Sequence, residues 1–494
     1  MAPTEEYDVL IIDAGIAGLN AAYRVQTQLP KARYVVLEAR GDIGGTWSFW
    51  KYPGLRSDSA ISIYSFEWLR YDQQTSLASG GEIVAYMRKA ESFAHRKSCL
   101  NTKRVMSVEW KSEEQRWTVT VNADGLVKAF RTPRLLNFMG YYKYDAPLPA
   151  VIPCIEKSEG EVVHAQLWRE ETDWTDKRVI IIGSGSTAIT LLPKLAEKAK
   201  HLAMLQQSPS YVLAVEAEPP LDKKLKRFLP RRLATWLIWW IGVWGEYMLL
   251  QTVKKKSSQL REDLMNAMRA QLPLRIDVEK HFNPSYLPAQ ERVCVCPDGD
   301  FFRAFHRDSV DVVTDKIETV LPTGLKTIDG TFIEAGMIVL ATGLEVQLWG
   351  GLDPVVDGKP VRVSERYVWR SCMLEGIPNA GFATGYISGT YTPGADIGTR
   401  SFIKVIQQCQ KKRASSAMPT IDASLHREKL PRKRMLKNGS TYMNAGEDRL
   451  PLSADVGPWY KATSCLSDAS RTWFSNITES IKFVFLEDIE TSLK

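Results

Sequence analysis

YDVLIIDAGIAGLNAAY, residues 7–23, decides how this chain is read. Four apolar residues, Val9 to Ile12, predict a buried strand, and Gly15 to Tyr23 predict the start of a helix. A dinucleotide-binding turn joins such a pair with G-x-G-x-x-G, because glycines allow a tight turn and close approach to a pyrophosphate. Here the spacing is kept as Asp13-x-Gly15-x-x-Gly18, with aspartate in the first place. The stretch ARYVVLEAR then predicts a second strand ending at Glu38, twenty residues after Gly18. An acidic residue there grips ribose hydroxyls in a Rossmann unit. Residues 41–58, GDIGGTWSFWKYPGLRSD, are rich in glycine and aromatics and read as loop.

A second unit begins at KRVIIIGSGSTAITLLPKLAEKAKHLAMLQQSPSY, residues 177–211. Arg178 to Ile182 predict the strand, Gly183-x-Gly185-x-x-Ala188 the turn, Thr187 to Lys198 the helix and Leu202 to Gln206 the next strand. Ala188 is small enough for the helix to pack on the strand, and the helix N-terminus suits a phosphate. GMIVLATGLE, residues 336–345, predicts a buried strand returning to the sheet. Two such units about 170 residues apart imply two dinucleotides held by one chain.

The composition fits a soluble globular protein of two or three domains: 494 residues, 44% hydrophobic and 24% charged. A net charge of +7, spread along the chain, does not suggest a nucleic-acid partner. Seven cysteines make no disulfide framework, and Cys294 with Cys296 lack partners for a zinc site, so free thiols and no metal are expected. The segment MAPTEEYDVLII lacks the basic start of a signal peptide, which predicts a cytoplasmic protein. Residues 228–251, FLPRRLATWLIWWIGVWGEYMLLQ, allow three readings: a buried helix of an inserted subdomain, a helix in a membrane interface, or a span. The first is preferred, with peripheral membrane contact as the alternative.

Several stretches in order then carry a family likeness. They are Gly44-Gly45-Thr46-Trp47, KYPGLRSD (51–58), GYYKYDAP (140–147), GSGSTA (183–188), HFNPSYLPAQERVCVCPDGDFF (281–302), ATG (341–343) and FATGYISGTYTPGADI (382–397). From about residue 7 to about 410 the chain resembles the class B flavin-dependent monooxygenases, and within them the Baeyer–Villiger monooxygenases of the ethionamide-activating type. That resemblance implies an α/β fold with two Rossmann-like domains. The FAD domain is split into 1–150 and 380–494 by an NAD(P) domain, 151–379, whose helical insert covers about 212–285.

The resemblance also implies FAD and NADPH as cofactors, with NADH the alternative, and an apolar ketone and O2 as substrates. It places Asp13, Gly15, Ala17, Gly18, Glu38, Gly45, Thr46, Trp47, Asp58 and Val105 at the flavin nucleotide. Gly183, Gly185, Ser186, Thr187, Gln206 and Gln207 fall at the nicotinamide nucleotide. The family fingerprint corresponds to SEGEVVHAQLWR, with Gly160, His164 and Trp168 in register, and the tryptophan points to the Baeyer–Villiger branch. Ser158 and Arg169 depart from it. In the family, oxygen bound at flavin C4a attacks a ketone carbonyl, yielding an ester or lactone. A fixed cation stabilises the anions formed, and arginine stays charged in a dry site. The resemblance assigns that role to Arg292, paired with Asp58.

Further departures bear on function. Gln207 stands where the family has an arginine for the 2′-phosphate, and Glu291 where many relatives have lysine, so weak NADPH selectivity or use of NADH is expected. Oxygenation of sulfur or nitrogen is the alternative reaction, and a non-catalytic relative with weakened FAD binding the alternative class. Residues 426–440 read as a solvated basic loop, with a cofactor phosphate contact as the alternative, and the C-terminal FSNITESIKFVFLEDIETSLK as ending in an acidic, mixed helix. The divergent C-terminal region leaves the substrate unassigned.

Overall fold

The computed structural model describes residues 4–485 and 487, except 74, 95–97, 289, 292, 387–388 and 437–438. Arg292 therefore lies outside the described residues. Val9–Ile12, fully buried, is the middle strand of a five-stranded parallel sheet. Across it run Ala380–Phe382, Leu135–Asn137, Val9–Ile12, Tyr34–Leu37 and Cys99–Leu100. Every neighbouring pair is parallel.

Strand alternation divides this sheet's side chains between two cores. Val9, Ile11 and Val36 pack with residues of the helices Ile16–Gln28, Gly80–Phe93 and Tyr391–Lys412. Leu10, Ile12, Val35 and Leu37 pack instead with Trp110, Trp117 and Phe130 of an antiparallel sheet. That sheet is built on Lys103–Lys111, Arg116–Ala123 and Leu126–Thr132. It was not anticipated, although the alternating burial of Arg116–Ala123 follows a period-two pattern in its sequence.

The split first domain is stitched by charge as well as by apolar packing. Arg24 donates to Asp396 at 2.7 Å and to Glu67 at 3.0 Å, and Asn20 donates to Asp396 at 2.8 Å. Arg24 and Asp396 are both largely buried. Burial opposes ionisation of Asp396, but Arg24 and Arg400 outweigh it and hold the carboxyl below its ordinary range.

The second parallel sheet runs Val310–Thr314, His201–Gln206, Arg178–Ile182, Met337–Leu340, Glu161–His164. The strands around both turns lie where their apolar runs predict. Helices Pro220–Phe228, Arg231–Lys255, Ser257–Arg269 and Val278–His281 form the insert.

Three local expectations change. Arg231–Lys255 is buried only on one side, through Ala234, Thr235, Ile238, Trp239 and Val243, while Trp236, Ile241, Trp244 and Met248 are exposed. The C-terminal stretch holds a strand, Ile481–Val484, which finds a pairing edge at Ser416–Pro419, while residues 486 and 488–494 of the acidic helix expected at its end lie outside the described residues. The basic loop is tied down: Arg427 binds Glu375 at 2.6 Å, and Leu430, Met435 and Leu436 are buried.

Candidate active site

The N-termini of the two dinucleotide helices open onto one cavity of about 300 Å³, at Gly15–Ala17 and at Gly185–Thr187. Both helices have a glycine at the N-cap, which supplies no capping side chain, and neither has an acid in its first turn. Their amides and dipole ends therefore favour anions. Space for a Cβ at Gly185 is open, whereas a Cβ at Gly18 would lie 1.9 Å from the Asp13 carbonyl oxygen. Gly18 is thus demanded by helix–strand contact rather than by ligand approach.

The loop of residues 51–58 is locked against the second dinucleotide helix. Gly54 has φ +77, and a Cβ there would lie 2.9 Å from the Thr190 carbonyl on the second dinucleotide helix. Arg56 grips Asp300 through bonds of 2.7 and 3.3 Å. These contacts hold Asp58 in the cavity wall, with Tyr52, Arg56 and Ser57.

The remaining wall is aromatic. Trp47 donates to the Tyr64 hydroxyl at 2.7 Å, and Thr46 shares a 2.6 Å hydrogen bond with Tyr144. Tyr141, Tyr142, Tyr391 and Tyr442 also line the space. Burial raises the phenols of Tyr52, Tyr64, Tyr144 and Tyr391, which stay neutral and able to donate.

Asp13 faces this cavity with φ +81, a left-handed conformation that aspartate tolerates better than most side chains. Its Oδ2 accepts the Gly15 N–H at 2.9 Å. Burial, with the Glu38 carboxylate beside it, pushes the Asp13 carboxyl up to about 8. It is therefore mostly protonated at neutral pH and presents little charge to an incoming pyrophosphate. Glu38 is buried and accepts from the Ala14 and Arg40 amides at 2.8 and 2.9 Å.

Ten of the expected residues meet at the cavity: Asp13, Gly15, Ala17, Gly45, Thr46, Trp47, Asp58, Gly185, Ser186 and Thr187. Others stand behind it or apart from it. Gly183 lies against the Ala341 backbone, and Gly160 against Gly336. Val105 packs in the core shared with the antiparallel sheet. Trp168 is buried against Trp174, ring centroids 5.7 Å apart. Gln206 is buried and donates to the His281 carbonyl and Thr314, whereas Gln207 is exposed.

His164 lines a smaller space of about 20 Å³ beside the main one, shared with Tyr52, Thr187 and Ala341. Burial lowers its basicity, and Nδ1 accepts the Gln166 N–H at 3.1 Å, which leaves the proton on Nε2. That Nε2 is buried with no hydrogen-bond partner among the described residues.

A family model for the NAD(P)-binding Rossmann-like domain matches residues 11–74. The chain is 34% identical over 463 residues to the FAD-containing monooxygenase EthA of Mycolicibacterium smegmatis, with 92% of each chain covered. It belongs to the FAD-containing monooxygenases. Two solved structures share the fold of this monooxygenase. Steroid monooxygenase bound to NADP has a TM-score of 0.76 at 19% identity, covering 97% of this chain and all of that one. Cyclohexanone monooxygenase from Rhodococcus sp. Phi1 bound to NADP+ has 0.77 at 16%, covering 98% and 100%.

The tyrosines were missed as site residues of this monooxygenase. GYYKYDAP was read only as a family marker, yet three tyrosines in eight residues of a Gly- and Pro-bounded loop is itself a binding-loop signal.

Proposed function

We propose that this FAD-containing monooxygenase uses NAD(P)H and O2 to insert one oxygen atom beside the carbonyl of an apolar ketone, giving an ester or lactone. The observation that carries the reading is the meeting of two dinucleotide helix N-termini with glycine N-caps and Asp58 at one aromatic cavity. FAD, once reduced by NAD(P)H, supplies the activation of O2. The amides at Gly15–Ala17 would hold its pyrophosphate, and Glu38 retains acceptor capacity for a ribose hydroxyl. The amides at Gly185–Thr187 would hold the second pyrophosphate.

Arg292 is assigned from the motif as the fixed cation, with Asp58 orienting its guanidinium and offsetting its desolvation. Tyr64, Tyr144 and Tyr391 exclude water and offer neutral donors, which strengthens that cation's field on a developing anion. An apolar substrate accords with this wall. His164 lines the small space at the seam between the two dinucleotide units, beside the proposed nicotinamide site, and its buried Nε2–H has no partner among the described residues.

The test is a spectrum followed by product identification. Purified protein should show flavin bands, bleached by NADPH and restored by air, and convert linear or cyclic ketones to esters or lactones. Oxidation of sulfides or amines with every ketone left untouched would replace ketone insertion by heteroatom oxygenation. A protein that gains no colour with added FAD would refute the reading altogether.

A further inference from the structure

The helix Arg231–Lys255 is built inside out for a surface helix in water. Leu233, Trp236, Ile241, Trp244 and Met248 recur along the side turned away from the core, with half-buried Leu237 and Trp240 at its margin. Trp236 is 46% exposed and Trp244 54%. An ordinary surface helix keeps polar residues on that face. The one charged residue between Leu233 and Leu250, Glu246, is spent inward, where it accepts the Thr390 N–H.

The apolar surface continues beyond this helix. Trp473 and Phe474, exposed at the end of helix Cys465–Phe474, line with Trp240 a cavity of about 140 Å³. Before the helix, Phe228 is 74% exposed. Both ends of the stripe are basic: Lys224, Arg227 and Arg232 at one, Lys254 to Lys256 at the other, all exposed.

We propose that this face rests on an anionic lipid surface, with the helix lying in the plane of the headgroups. Tryptophans at the acyl boundary and Lys or Arg among lipid phosphates are the arrangement such a surface favours. The charge pattern selects this occupant over a second copy of the chain. Packing two of these helices together would set basic end against basic end, where like charges repel. A span is excluded because the opposite face is committed to the core: Ile63 and Trp239 pack together, and a Cβ at Gly242 would lie 2.6 Å from the Ile63 side chain.

The inner side of the same helix touches the neighbours of the cofactor cavity. Ile63 adjoins Tyr64, and the Thr390 held by Glu246 adjoins Gly389 and Tyr391, all three of which line it. A lipid surface on the outer side would thus sit a short way from the site, where apolar substrates dissolved in the bilayer concentrate.

The experiment is vesicle co-sedimentation of the FAD-loaded protein with phosphatidylcholine alone and with added phosphatidylglycerol. The proposal expects binding to the anionic vesicles, weakened by salt. It expects about a tenfold loss of affinity in W236S/W244S and a comparable loss in K254E/K255E/K256E. The altered residues are exposed, so melting temperature and flavin content should stay at wild-type values. Absence of binding at low salt, equal binding to neutral vesicles, or full binding by W236S/W244S would each overturn it. So would a concentration-dependent dimer that W236S/W244S dissolves without any vesicle binding, which would give the face to a second copy.

Discussion

Gly15 gives its N–H to Asp13 Oδ2 at 2.9 Å, so the first dinucleotide turn is closed by its own side chain. A pyrophosphate must compete for that amide, and the backbone of Asp13 stays in a left-handed conformation at φ +81. The competition for the amide is worth about 1.4 kcal/mol, whereas the backbone strain is the same with and without flavin and bears on folding. Full repulsion between two charges about 5 Å apart would be roughly 3 kcal/mol at an effective dielectric of 20. The elevated pKa of Asp13 removes most of that at neutral pH. Asp13→Gly should therefore tighten FAD binding by about tenfold at pH 7, read by equilibrium dialysis with flavin fluorescence. An unchanged dissociation constant would mean that the aspartate does not hinder the flavin.

The same carboxyl makes flavin binding pH-dependent. With its proton, Asp13 is neutral; as pH rises through about 8 it ionises in the free protein, and binding an anion must then take up a proton. FAD affinity should fall above pH 8, by at most about tenfold per unit. Asp13→Asn should flatten that fall, and a wild-type profile flat from pH 7 to about 9.5 would contradict the linkage.

Nicotinamide selectivity should be weak. Gln207 is exposed at the end of the second Rossmann pair and carries no charge, and Glu291 is acidic, its carboxyl raised by burial. Values of kcat/KM for NADPH and NADH should agree within about tenfold, since no cation from these two positions meets the 2′-phosphate. A preference for NADPH above about a hundredfold would show that other side chains supply the charge.

Removing the proposed cation separates the two half-reactions. Arg292→Ala should abolish ester or lactone formation while NADPH still bleaches the flavin, followed by stopped-flow absorbance. Asp58→Ala should keep the bleaching and lower product formation by about a hundredfold, the scale of a lost orienting partner at a charged site. Ester formed by Arg292→Ala at the wild-type rate would take the residue out of the mechanism.

The Arg24–Asp396 pair carries stability across the split domain. Asp396→Ala leaves the Arg24 guanidinium buried with only Glu67, at a cost of about 3 kcal/mol. Thermal melting of the flavin-free protein should register a drop of several degrees. The folded carboxyl is held below its ordinary value, so this contribution is present near neutrality and disappears as pH falls through the acid range.

Both Rossmann turns were legible because they are local: a short apolar run, small residues at fixed spacing, then a helical pattern. The strand Met337–Leu340 was legible for the same reason. Ten site residues reached the cavity because the family motif and the βα turn place them without long-range information. Gln206, by contrast, is at the predicted place in sequence, but its amide is used by His281 and Thr314, partners 75 and 108 residues away. The helix Arg231–Lys255 misled because hydropathy reports how apolar a segment is and not which of its faces finds a neighbour. The Ile481–Val484 strand depended on an edge at Ser416–Pro419 that no local pattern announces.

The sheet that begins at Val9–Ile12 is completed by Ala380–Phe382, laid beside Leu135–Asn137. Roughly 240 residues are made between those two strands, about 12 to 50 s of synthesis at ribosomal speed. During that interval the N-terminal part waits with a sheet edge unpaired and the Arg24 side chain without Asp396, while the inserted domain already has its complete sheet. The domain that starts first is thus finished last, and its exposed edge on the ribosome is the stage at which this protein is most open to chaperones and to misassembly.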